Sequence, residues 1–284
     1  MFNNFLFAVL ALFAIEPSYA ENSSLGLLGI NNSKLSFTGY NEKFGGWSEV
    51  EFKNSKAEFK IYAIPTKADN LEEGVVASSD VSMMSPQKKY LIVQRTNAGE
   101  VIDGDGNKKI SSQAYCDVIS LETGCVKNIG SVQQCDGAWQ DERWKDSTGD
   151  VFDAATGGVP PSRLISNVAG VTGSESRAST LKDYVFMGVP SYMACYPPEK
   201  SIPAYNDVAF YFAQGGEHLL AMQIYERLLP LAANRVPLKL NVADSLWALG
   251  KHEEAMGYYV DYRSAMAKKG LLGKMPARVA ERLK

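Results

Sequence analysis

The chain has 284 residues, a formal charge of −3 and 45% hydrophobic residues. That composition excludes a disordered or strongly charged polypeptide, and it leaves no basic footprint for nucleic acid. The length suits one large domain or two small ones.

The first twenty residues, MFNNFLFAVLALFAIEPSYA, hold an apolar run from Phe5 to Ile15 that is too short to span a bilayer. Ser18 and Ala20 place small residues three and one before a bond at Glu21, so residues 1–20 are expected to be a signal peptide, although no Lys or Arg precedes the run. No Cys follows it, which argues against a lipoprotein, and no later segment is apolar enough to cross a membrane. A periplasmic or secreted location is therefore expected. Cys116, Cys125, Cys135 and Cys195 are an even set in an exported chain and imply disulfides. Of the three possible connectivities the sequence selects none. A pair within 116–135 and one staple to Cys195 is the working expectation. No CxxC occurs, and the irregular spacing gives zinc little support.

Residues 21–140 are expected to form a β-rich, antiparallel domain. WSEVEF (47–52), FKIYAI (59–64, with Phe59, Ile61 and Ala63 on one face), KYLIVQRT (89–96) and AYCDVISL (114–121) have strand character. NEKFGG, NAGE, DGDGNK and ETGC are expected turns between them. Residues 141–201 form a Gly/Ser/Asp-rich connecting segment, expected as a long ordered loop with short helical turns or as a linker, followed by an apolar, proline-bearing stretch around Cys195. Residues 202–284 are expected to be helical, giving an α+β chain. Aligning 202–235 with 236–269 leaves nine identical positions, among them Pro203/Pro237, His218/His252 and Met222/Met256, where chance gives roughly two.

This 34-residue unit resembles the tetratricopeptide repeat (TPR). The family pattern wants small residues at positions 8 and 20, a large one at 11, Gly at 15 and an aromatic at 24. The first unit supplies Ala209, Phe212, Gly216, Ala221 and Tyr225; the second supplies Ala243, Leu246, Gly250, Ala255 and Tyr259. Small residues let paired helices approach, and Gly ends the first helix in a left-handed conformation. Ala233 and Ala267 stand where the family often has Pro, and Pro230 is expected to end or kink the second helix of the first unit early. Two units are marginal alone, so PARVAERLK (276–284) is expected as a covering terminal helix. The resemblance implies ligand contacts on the first-helix face, here Asn206, Phe210, Gln214, Leu240, Asp244 and Trp247. The Lys and Asn clamp for C-terminal carboxylates is missing, since Asn206 and Phe210 occupy its positions.

Motifs for catalysis are weak. DGDGN (103–107) begins like a calcium loop, but Lys108 and Ala114 replace the Gly and Glu it needs, so a hairpin turn is expected. SxxK occurs twice, at Ser85 and Ser179, without SDN or KTG. His218 and His252 share position 17 of the repeat and are read as architecture, not as a metal pair. Asp136, Asp141, Glu142, Asp146, Asp150 and Asp153 could pair for glycan hydrolysis only across a cleft. No cofactor or metal is called for. The leading expectation is a non-catalytic periplasmic protein-binding adaptor whose partner is an envelope or secretion component. An immunity protein that neutralises a toxin and a cell-wall glycan enzyme are the alternatives.

Overall fold

A computed structural model describes residues 24–42, 45–64, 75–77, 81–102 and 104–284; the expected leader, 1–20, lies outside them. The chain is α+β. Strands β1 (Leu25–Leu28), β2 (Lys34–Asn41), β3 (Gly46–Lys53), β4 (Glu58–Ile61), β5 (Val75–Ala77), β6 (Tyr90–Ile102), β7 (Lys108–Ser120) and β8 (Val126–Ser131) form one antiparallel sheet in the order β1-β2-β3-β5-β6-β7-β8. β4 shares the outer edge of β3 with β5: Val50 pairs with Ile61, whereas Trp47 pairs with Ala77. Three short strands, β9 (Gly137–Gln140), β10 (Arg143–Asp146) and β11 (Val151–Asp153), make a second sheet.

Alternation along β6 and β7 separates two cores. Leu91, Val93 and Ile119 face the helices together with Leu35, Phe37, Val50 and Phe52. Ile92, Cys116 and Val118 point the other way, onto Trp144, Cys135 and Ala154. Trp144 is 2% exposed, and its indole N–H donates to the Gln134 carbonyl at 2.7 Å. It anchors the small sheet to the large one. The helical-side core continues without a break from Leu27 to Val279.

Two local expectations fail for reasons of pairing. NAGE is not a turn, because Asn97 to Glu100 pair with Gln113 to Ile110 and β6 runs straight to the DGDGNK hairpin. The strand in FKIYAI stops at Ile61. Tyr62 turns inward at φ 63°, and its N–H donates to the Met187 carbonyl at 2.9 Å, while Ala63 is exposed.

The 141–201 stretch carries strands β10 and β11 and three helices, α1 (Pro161–Val168), α2 (Ser174–Tyr184) and α3 (Val189–Cys195). Then follow α4 (Ile202–Gln214), α5 (His218–Ala232), α6 (Val236–Ala248), α7 (His252–Lys268) and α8 (Ala277–Arg282). The pairs α4–α5 and α6–α7 begin 34 residues apart. Ala209, Ala221, Ala243 and Ala255, with Tyr225 and Tyr259, are fully buried between them. Gly216 (φ 82°) and Gly250 (φ 77°) close α4 and α6, and the following N–H reaches back five residues, from Glu217 to Phe212 and from Lys251 to Leu246. Pro230 does not end α5 early. The helix continues to Ala232, because an exposed proline in the last turn denies a donor only to the Glu226 carbonyl.

Cys116 is joined to Cys135 and Cys125 to Cys195. The second bond staples α3 to the sheet, and this arrangement fits an oxidising compartment. Among the described residues no helix is long and apolar enough to cross a membrane.

Candidate functional site

The six residues expected on the first-helix face meet different fates. Phe210 is 38% exposed and Gln214 is exposed, one turn apart on α4. Asn206 is buried: Asn241 Nδ2 donates to its Oδ1 at 3.3 Å, and its Nδ2 donates to Asp207 Oδ1 at 3.4 Å. It ties α4 to α6. Leu240 is half-buried in the core.

Asp244 and Trp247 are engaged by the terminal helix. Arg278 grips both oxygens of Asp244, with Nη2 at 2.7 Å from Oδ2 and Nε at 3.0 Å from Oδ1. Arg282 Nη1 donates to Oδ1 at 2.8 Å and also to the Tyr259 hydroxyl. Tyr259 donates to Asp244 Oδ1 at 2.7 Å; burial, then the adjacent carboxylate, push this phenol up to about 12, so it stays protonated at neutral pH. Trp247 lies between His252, stacked at 4.2 Å, and the Arg282 guanidinium at 5.0 Å. Arg278 and Arg282 are the residues that sequence reading passed over. Their spacing of four on one face of PARVAERLK is the signal that could have found them. In the first unit Phe210 stands where Asp244 stands in the second, and the buried Tyr225 hydroxyl has no hydrogen-bond partner among the described residues.

The histidines share a register but not a role. His252 stacks on Trp247, whereas His218 Nδ1 lies 3.3 Å from Ser245 Oγ. Three of the six middle acids hold turns. Asp146 Oδ1 accepts from Thr148 Oγ1 (2.7 Å), Asp150 N (2.9 Å) and Thr148 N (3.0 Å), bonds that hold its carboxyl below the usual range. Glu142 accepts from Ser85 Oγ at 2.8 Å and Gln87 N at 3.1 Å, and Asp153 accepts from Ala155 N at 2.8 Å. Among the described residues no group of three His, Cys, Asp or Glu side chains is placed to hold a metal.

A buried polar cluster joins the sheet to the α2–α3 connection. Arg95 Nε donates to Asp117 Oδ2 at 2.6 Å, and Tyr62 Oη and Asn128 Nδ2 complete the carboxylate at 3.0 and 2.8 Å. The guanidinium lies 4.2 Å from the Phe186 ring and 4.4 Å from Tyr115. A register shift of β7 on β8 at Cys116/Asp117 brings Asn128 to the acid. Each partner is satisfied internally, and the cluster acts as a docking pin for the helices.

Where the turns at one end of the large sheet meet α3 and α5 there is a half-open groove of about 680 Å³. Its volume falls in the range of ligand sites. The β1–β2, β3–β4 and β7–β8 turns form one wall; α3, the Pro198–Lys200 turn and α5 form the other. None of the six middle acids lines it. In comparisons with known proteins, no family model matches the chain and no curated protein matches it.

Proposed function

We propose that this chain is an exported, non-catalytic protein-binding protein of the periplasm, built on a TPR-like array, with a component of an envelope or secretion assembly as its partner. The observation that carries the reading is the uneven first-helix face. In the second unit Asp244 and Trp247 are covered by α8, whereas in the first unit Phe210 stands open beside Gln214. A large exposed aromatic beside an amide is the residue chemistry of an interface anchor. The two disulfides support the compartment, and the turn-holding acids give no support to a glycan hydrolase.

The test is capture from periplasmic extract with wild type and Phe210→Ala. Phe210 is outside the buried core, so the variant should keep its thermal midpoint and lose the partner. A folded variant that retains every partner refutes the assignment of this face. Recovery of a single toxin at nanomolar affinity would replace the adaptor role with an immunity role.

A further inference from the structure

We infer that the groove between the sheet turns and α3–α5 is a second binding site, one that takes a short extended polypeptide segment bearing an apolar side chain next to a basic one. It shares no residue with the Phe210 face.

The apolar part of the lining, the floor of the proposed site, comes from Phe59, which is half-buried, Met193 of α3, and Leu231, 40% exposed, at the end of α5. The walls are stiff. Pro190, Pro197, Pro198 and Pro230 line them, and proline fixes its own backbone torsion. The two sides are locked together by the Cys125–Cys195 disulfide, with Cα atoms 4.7 Å apart, and by Ser191 Oγ donating to the Gly124 carbonyl at 2.7 Å. Asn54 fixes the turns. Its Nδ2 donates to the Glu122 carbonyl at 2.9 Å, and its Oδ1 accepts from the N–H groups of Lys56 and Ala57 at 2.8 Å each. The groove is thus formed before any ligand arrives, which lowers the ordering cost of binding.

Five charged side chains line it: Lys56, Glu122, Glu199, Glu226 and Arg227. All five are exposed, and no side chain among them makes a hydrogen bond or ion pair with another described residue. Elsewhere on this protein Lys53, Lys60, Lys182 and Lys239 each hold an acid. Three carboxylates against two cations leave a net negative lining over an apolar floor, the complement of a basic and apolar segment. The groove is open to solvent rather than enclosed, so a side-chain pair of a larger ligand can enter it while the rest of that ligand stays outside.

The test uses the full-length protein with both disulfides formed, ¹⁵N-labelled, and three acetylated, amidated hexapeptides: GKLFKG, GELFEG and GKSSKG. GKLFKG should move the amide signals of Thr123, Ala194 and Arg227 saturably, with a Kd below about 1 mM. GELFEG and GKSSKG should each bind at least about tenfold more weakly, and the Glu199→Gln, Glu226→Gln double variant should weaken GKLFKG by about tenfold. Leu231→Ser, at a half-exposed site, should weaken it as well and reports on the floor. Absence of saturable shifts, equal binding of all three peptides, or shifts confined to Phe210 and Gln214 would each overturn the proposal. Such failure leaves the Phe210→Ala capture result unaffected, so the two readings fall separately.

Discussion

Removing the Cys125–Cys195 bond should cost this fold more stability than removing the Cys116–Cys135 bond. The bond spans 70 residues of sequence. The chain entropy that a cross-link of that span removes from the unfolded state is worth about 4 kcal/mol, against about 3 kcal/mol for the span of 19 closed by Cys116–Cys135. A domain is stable by only about 5–15 kcal/mol, so the loss is a large fraction of the total. The Cys125→Ala, Cys195→Ala variant should still fold. α3 keeps the Ser191–Gly124 bond and the buried side chains Val189, Tyr192 and Met193, and the connection before it keeps the Tyr62–Met187 backbone bond. Urea unfolding, followed by tryptophan fluorescence and by far-ultraviolet circular dichroism, would compare wild type with each double variant. A loss below about 1 kcal/mol for the long loop, or a larger loss for the short one, would refute the loop-entropy argument and the view that this bond holds sheet and helices together.

Asp244→Ala should cost about 2 kcal/mol, since it removes the acceptor shared by Arg282 and the Tyr259 hydroxyl at a site about one quarter exposed and releases the more exposed Arg278. Amide exchange in α8 should rise above that in α6, and unchanged protection of α8 would show that Val279 packing alone holds the helix. Gly215→Ala should destabilise by about 1–3 kcal/mol, because the added methyl would sit 2.3 Å from Ala178 Cβ and 2.8 Å from the Ser174 carbonyl, pushing α2 off α4. Gly273→Ala meets nothing within 4 Å and should stay within about 0.5 kcal/mol of wild type by thermal unfolding. Equal midpoints for the two glycine variants would contradict the close packing of α2.

The helical pairs were legible because their determinants are local and periodic. Small residues fall at the crossings, a glycine ends each first helix, and a tyrosine fills each gap, all at fixed offsets along one chain. The α2 helix was not legible, because SESRASTLKDY buries only Ala178 and Leu181 and shows no apolar stripe. NAGE carries turn residues yet lies inside β6, because the partner strand decides; Asn97 to Glu100 extend only because Gln113 to Ile110 lie beside them. The same limit applies to the candidate faces. Sequence register put Asp244 and Phe210 at one repeat position, and only the fold-back of α8 separates them into a covered and an open residue.

By itself, then, the sequence determined the α+β order of the chain, four strands of the large sheet (β3, β4, β6 and β7, with inexact ends), the repeated helical pairs and the presence of disulfide chemistry. Each of these follows from side-chain pattern within a few turns or strands. The pairing of Cys125 with Cys195, the Arg95–Asp117 pin, the α8 clasp on Asp244 and the groove were decided by tertiary structure alone. They join residues as far apart along the chain as Ile30 and Leu231, and no local pattern encodes which distant surfaces will meet.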